Sequence, residues 1–309
     1  MNKTLFKFGL LTLSSLFSYI SCSNISKEPA RRVFEDNNIS TKSVELSPTF
    51  SSDGREVYFT RSTGKWGMGG GKSSIYYSVN KNGKWSTPKL ASFSGEYNDG
   101  APHLCANGKT LYFTSTRPVI GVEKASKDIW KVERGINNVW GSPIRLAFPI
   151  NSERSEYSPS TDKWGNLYFA SNRSGGYGQG DIYFAKKEKD TFASSVNMGA
   201  VINADSGEWN VEINDNGDIL IFESSGRDEN LSPYGDLYIS FRLNNQWSVP
   251  QNMEELNTTG SDLYAELTHG DTLLYYTSSD SLPSIDTDIY VIEFDHIHKK
   301  YHKRAIFSE

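Results

Sequence analysis

Ser47-Pro48-Thr49-Phe50-Ser51-Ser52-Asp53-Gly54, followed by Val57-Tyr58-Phe59-Thr60, reads as two short strands joined by a tight turn. Asp and Gly both tolerate positive φ, so this dipeptide between β-type runs is a strong hairpin signal. The unit returns four times. Its second copy is Ala101-Pro102-His103-Leu104, then Asn107-Gly108 and Leu111-Tyr112-Phe113-Thr114-Ser115. The third is Ser158-Pro159-Ser160 with Leu167-Tyr168-Phe169-Ala170-Ser171. The fourth pairs Val211-Glu212-Ile213 with Leu220-Ile221-Phe222-Glu223-Ser224, and the fifth Ala265-Glu266-Leu267 with Leu274-Tyr275-Tyr276-Thr277-Ser278.

Two further patterns follow each hairpin. One is a third strand: Ser74-Ile75-Tyr76, Asp128-Ile129-Trp130, Asp181-Ile182-Tyr183, Asp236-Leu237-Tyr238 and Asp288-Ile289-Tyr290. The other opens a fourth strand near Trp-Ser-x-Pro: Trp85-Ser86-Thr87-Pro88, Trp140-Gly141-Ser142-Pro143, a worn Phe192-Ala193-Ser194-Ser195, and Trp247-Ser248-Val249-Pro250. First-strand positions 48, 102, 159, 211 and 265 are separated by 54, 57, 52 and 54 residues. Four short strands per repeat, five times over, predict an all-β fold, a β-propeller of five four-stranded blades. The fifth copy lacks the Trp-Ser-x-Pro strand, and Pro29-Ala30-Arg31-Arg32-Val33-Phe34 has the register of Pro143-Ile144-Arg145-Leu146-Ala147-Phe148. The N-terminal strand is therefore expected to complete the last blade and close the ring, which removes the sheet edges.

The string Pro-x-Phe-Ser-x-Asp-Gly-x-x-Val-Tyr-Phe-Thr, with Asp-Ile-Tyr after it, resembles the PD40 repeat, the WD40-like propeller repeat of the TolB-like family. The resemblance covers residues 44–293 and implies the fold more than a task, since such propellers serve many functions. It also makes six blades the alternative count, because the TolB propeller resembles a six-bladed ring.

Composition agrees with short strands: 13% of the residues are aromatic, and 26 are Gly. A net charge of −5 argues against a nucleic-acid partner, which requires a basic face. The basic cluster Lys299-Lys300-Tyr301-His302-Lys303-Arg304 reads as the solvated end of a C-terminal tail, 296–309. Residues 1–22 read as a lipoprotein signal peptide: Lys3 and Lys7, an apolar run from Phe8 to Ile20, then Tyr19-Ile20-Ser21-Cys22, which resembles a lipobox. Lipidation on Cys22 would leave 23–28 as a tether, 29–295 as the propeller, and the membrane as a partner through the anchor. Ser23-Asn24-Ile25-Ser26-Lys27-Glu28 carries one acid, which favours the periplasmic face of the outer membrane over surface export. Cys105 then has no disulfide partner.

Three residues upstream of each first-strand position stands an acid: Glu45, Asp99, Glu156, Glu208 and Asp262. Rotation about a propeller axis makes these a ring at one end of the channel. The ring is either an electronegative mouth for a cation or a basic peptide, or a set of structural pairs with Arg61, Arg117, Arg173 and Arg227. The fifth copy has Asp280 where that Arg would be, so Asp262 is expected to be the acid left over. Trp66, Tyr177 and Tyr234, in the loops between second and third strands, form a second candidate binding face. Gly64–Ser73 is no P-loop, since Trp66 replaces a required Gly and no helix follows. His296 and His298 would share a strand face, but nothing supplies a third metal ligand. His103 and His269 look incidental. No catalytic set, metal or cofactor is expected. The expected function is non-catalytic binding of an envelope protein or peptide. The alternative is a glycan-binding or glycoside-hydrolase-like propeller using Glu45, Glu156 and Glu208, since glycoside cleavage needs two suitably spaced carboxylates.

Overall fold

A computed structural model describes residues 30–64, 71–119, 126–268, 270–279 and 287–307. The signal peptide, Cys22, the tether, Trp66, His269 and Asp280 lie outside the described residues.

Five antiparallel sheets form a five-bladed propeller, each running from an inner strand to an outer one. The first blade is Val44–Phe50, Glu56–Ser62, Ser73–Lys81 and Lys89–Leu90. The second is Asp99–Leu104, Thr110–Ser115, Asp128–Glu133 and Ile144–Arg145. The third is Glu156–Thr161, Leu167–Ser171, Asp181–Ala185 and Val196–Asn197. The fourth is Gly207–Ile213, Ile219–Ser225, Asp236–Leu243 and Gln251–Asn252. The fifth is Asp262–Leu267, Leu273–Ser278, Asp288–Glu293 and, from the other end of the chain, Arg32–Val33. Arg32 pairs with Val291 and Val33 with Tyr290, so the ring closes as the sequence leads one to expect.

The repeat letters have separate jobs. Phe59, Phe113, Phe169, Phe222 and Tyr276, from the second strands, are fully buried. So are Ile75, Ile129, Ile182, Leu237 and Ile289 from the third. The serine of Trp-Ser-x-Pro bonds the third strand: Ser86 Oγ accepts from Val79 N (3.2 Å) and Ser248 Oγ from Phe241 N (3.1 Å).

Each inner strand carries a bulge at the same place. Register shifts fall between Leu46 and Thr49, Gly100 and His103, Tyr157 and Ser160, Trp209 and Glu212, and Leu263 and Glu266. The first extra residue is left-handed in every blade: Ser47, Ala101, Ser158, Asn210 and Tyr264 have φ of 50°, 46°, 45°, 49° and 51°. A non-Gly residue there costs about 1–2 kcal/mol, so its repetition means that the surroundings impose it. Pro48, Pro102 and Pro159 occupy the second bulge position, where no ladder N–H is needed. In three blades the left-handed residue's N–H is caught by a threonine of the preceding blade: Ala101 N donates to Thr60 Oγ1 (3.0 Å), Ser158 N to Thr114 Oγ1 (3.3 Å) and Ser47 N to Thr277 Oγ1 (3.3 Å).

The C-terminal segment departs from the expected tail. Phe294–Phe307 is a helix, so His296 and His298 do not share a strand face. Phe294, Ile297, Tyr301 and Ala305 form its buried stripe over the fourth and fifth blades, against Phe241, Met253 and Ile292. His298 and His302 stack on each other at 5.3 Å and meet Phe241 edge-on. The basic cluster is in part paired: Lys300 Nζ lies 2.6 Å from Glu255 and Arg304 3.0 Å from Glu254.

Candidate functional site

All five predicted acids are fully buried at the end of the ring where the inner strands begin. Glu45 accepts from Arg61 Nε at 2.8 Å, Asp99 from Arg117 at 2.8 Å, Glu156 from Arg173 at 3.2 Å and Glu208 from Arg227 at 2.9 Å. A paired-strand serine also donates to four of them: Ser115, Ser171, Ser224 and Ser278 to Asp99, Glu156, Glu208 and Asp262. Four also cap the linker that enters the strand, accepting from the N–H of Thr41, Ser152, Ala204 and Thr258.

The arginines reach further, donating to the carbonyls of Ile39, Phe93, Ile150 and Ile202, so each acid–arginine pair ties a blade to the linker before it. Each guanidinium also lies over at least two aromatic rings, for example Arg227 over Phe222 (5.5 Å) and Tyr238 (4.9 Å).

The fifth blade obtains its arginine from the closing segment. Arg31 lies over Tyr290 at 4.7 Å and donates to Tyr276 Oη at 3.4 Å, the aromatic pair equivalent to Phe222 and Tyr238. Burial raises the Asp262 carboxyl above its ordinary range; hydrogen bonds from Ser278 and Thr258 oppose that rise, and the more distant Arg31 charge opposes it least. Among the described residues Asp262 is the one acid of the five with no direct ion pair, as its repeat leads one to expect, and Ser278 and Thr258 hold it by hydrogen bonds.

Tyr177 and Tyr234 are exposed, and their backbones are tied into local turns. Tyr177 N donates to Asp181 (2.9 Å) and Tyr234 N to Ser232 Oγ (3.2 Å). Neither lines the channel mouth. Cys105 is a half-buried free thiol, pushed up to about 11 by burial, so its thiolate is scarce at neutral pH.

The channel has three levels. Its upper mouth is a cavity of about 180 Å³ lined by Thr60, Asn98, Lys127, Tyr157, Ser158 and Tyr264 among others. The bulges form the waist. Just below, one residue past each first-strand position, stand Thr49, His103, Ser160, Glu212 and Glu266, all buried. Each accepts the N–H two residues past the first-strand position of the next blade. Thr49 Oγ1 takes Leu104 N (3.0 Å), His103 Nε2 takes Thr161 N (3.0 Å) and Ser160 Oγ takes Ile213 N (3.1 Å). Glu212 Oε1 takes Leu267 N (3.1 Å), and Glu266 Oε1 takes Phe50 N (3.2 Å) and closes the circle.

His103 is therefore a member of a five-residue ring and not incidental. Comparing repeats for identity hides this ring, because its members share only the ability to accept a hydrogen bond. Burial, and then the like charge of Glu266, hold the Glu212 carboxyl well above the ordinary range.

Glu223 occupies the place of Thr60, Thr114 and Thr277 in the fourth blade. It accepts from Asn210 Nδ2, and burial pushes its carboxyl up to about 8. The folded state then holds a proton between about pH 4.5 and 8 that the unfolded state has released, so stability falls as pH rises through that window. Glu223→Gln keeps an acceptor for Asn210 and removes the effect. Urea titrations should find the variant as stable as the parent near pH 4.5 and increasingly more stable up to pH 8. A constant gap across that range would show that the carboxyl titrates normally.

No family model and no curated protein matches this chain. Solved structures do. A GH43 endo-arabinanase from Bacillus licheniformis aligns with TM-score 0.52 and 12% identity, over 83% of this chain and 95% of its own. An arabinanase from Bacillus subtilis gives 0.51 and 13%, over 82% and 95%. TolB from Acinetobacter baumannii gives 0.45 and 13% over 82% of this chain, which spans 55% of that structure. The two arabinanase likenesses carry the propeller fold and stop there.

Proposed function

We propose that this protein is a non-catalytic binding propeller, held at the cell envelope by a lipid on Cys22, that takes a protruding side chain of a protein or peptide into its upper channel mouth. The observation that carries this reading is the mouth itself. Its volume of about 180 Å³ is below the roughly 300 Å³ at which drug-sized ligand pockets begin, so it suits one or two side chains. Its lining offers hydroxyls, Asn98, Lys127 and two tyrosines, and among the described residues no carboxylate.

The glycan reading draws on Tyr157 and Tyr264, whose rings could stack on a sugar. Against hydrolysis, Glu45, Glu156 and Glu208 are each bonded inside their own blades, and acid and nucleophile need unlike environments.

Peptide-display selection against the full chain tests the proposal, with Lys127→Ala/Tyr157→Ala as control; this change removes a cation–π pair of 5.4 Å at the mouth. Selected peptides should bind the folded double variant at least ten times more weakly. Peptides that ignore the change, or a glycan array signal lost in its place, would overturn it. Palmitate labelling of the parent that vanishes in Cys22→Ala checks the anchor.

A further inference from the structure

We propose that His103, Glu212 and Glu266 form a binding site for one divalent transition cation on the propeller axis. One ring nitrogen of His103 and one carboxylate oxygen from each glutamate lie within 4.8 Å of one another, and all three residues are more than nine-tenths buried. They come from the second, fourth and fifth blades, so no local motif announces them.

The interblade ring does not require this chemistry. In the first and third blades Thr49 and Ser160 accept the same backbone N–H with a hydroxyl. Glutamate in the fourth and fifth blades does that task with one oxygen and brings a second oxygen. Ser160 Oγ donates to Glu212 Oε2 (2.8 Å) and Thr49 Oγ1 to Glu266 Oε1 (2.8 Å), so neighbouring hydroxyls orient both carboxylates.

Space is present as well. Voids of about 20 Å³ lie toward the waist and toward the lower mouth, and all three residues line both. Each is large enough for one water, which could complete a four- or five-coordinate shell.

The donor set selects the ion. A cation on Nδ1 would hold His103 as the neutral Nε2–H tautomer, with Nε2 donating to Thr161 Oγ1 at 2.8 Å in place of accepting the Thr161 backbone N–H. One imidazole with two carboxylates suits Zn²⁺ or Mn²⁺. Mg²⁺ demands near-octahedral oxygen and keeps its water, and Ca²⁺ wants six to eight oxygens. Bonds of about 2.0–2.2 Å set donor separations near 3.3–3.6 Å, so the ligand atoms must close by about 1 Å. Glutamate side chains can do this by rotation.

The test uses purified full-length protein stripped with chelator and titrated separately with Mn²⁺, Zn²⁺, Ca²⁺ and Mg²⁺. Calorimetry should show one site for Mn²⁺ or Zn²⁺ with a micromolar or tighter Kd, together with a rise in Tm. Glu212→Gln and Glu266→Gln keep the ring acceptors, so they should fold, keep or raise the metal-free Tm, and weaken binding at least 100-fold. Mn²⁺ electron paramagnetic resonance on the unaltered protein, which needs no variant, should show an immobilised ion displaced by Zn²⁺. Failure of both transition cations to bind below about 1 mM, or binding that both variants retain, would overturn the assignment.

Discussion

Phe34→Ala should cost about 3–5 kcal/mol in guanidinium unfolding followed by tryptophan fluorescence, the range for a buried Phe-to-Ala truncation. Phe34 is 5% exposed although it follows a strand of only two residues. Its ring lies edge-on to Phe50 (5.6 Å), Trp85 (5.6 Å) and Tyr275 (5.1 Å), so one side chain bridges the first and fifth blades. Its backbone N–H donates to Ile289 O at 2.7 Å, and the segment continues to Ile39, fully buried in the same cluster. Two ladder pairs alone would hold the seam weakly. A loss below 1 kcal/mol would mean that the backbone pairs and Ile39 suffice.

Arg227→Ala should cost a similar 3–5 kcal/mol, because it leaves Glu208 buried without its cation. The guanidinium also holds Ile202 O at 2.6 Å, so the variant loosens the linker between the third and fourth blades. Adding Glu208→Gln removes the stranded charge and should restore part of the loss, since the amide oxygen can still accept from Ala204 N while its NH2 donates to the Ser224 hydroxyl. The measurement is a double-mutant cycle by denaturant unfolding. If the double variant is as unstable as the sum of the singles, the pair acts only through separate contacts with the linker.

The blades were legible because each repeated letter reports a local necessity. Asp-Gly sets a turn, the aromatic of the second strand fills a blade, and proline fits a bulge. The placement of Glu45, Asp99, Glu156, Glu208 and Asp262 at one end of the ring was legible for the same reason. Their direction was not, because it depends on linker N–H groups and arginines that approach from outside the strand. An Ile-Asn or Leu-Asn pair ahead of the inner strand was a signal left unread. Asn151, Asn203 and Asn257 bond Ile129, Ile182 and Leu237 through both backbone groups. Ile39-Ser40 does the same to Ile289 at the closure.

The ring of Thr49, His103, Ser160, Glu212 and Glu266 escaped for the opposite reason, since five different side chains satisfy one geometric demand. The helix Phe294–Phe307 was hidden by histidines and lysines that thin its apolar stripe to one residue per turn.

Closure by Arg32–Val33 also fixes a sequence of events in time. A ribosome makes this strand before any blade exists, yet its partner Asp288–Glu293 is the last strand of the ring to be made. Throughout synthesis, therefore, the fifth blade's arginine, Arg31, and its outer strand have nowhere to dock. Blades one to four can assemble from neighbouring segments, but the seam must wait for a contact between residues more than 250 positions apart (291 − 32 = 259). Contacts of such separation form slowly, because the loop they close must be ordered first. The ring is thus expected to spend its nascent life as an open arc with two unpaired edges. Proteases or chaperones present at that stage would meet Phe34 and Ile39 exposed, although the finished protein buries both.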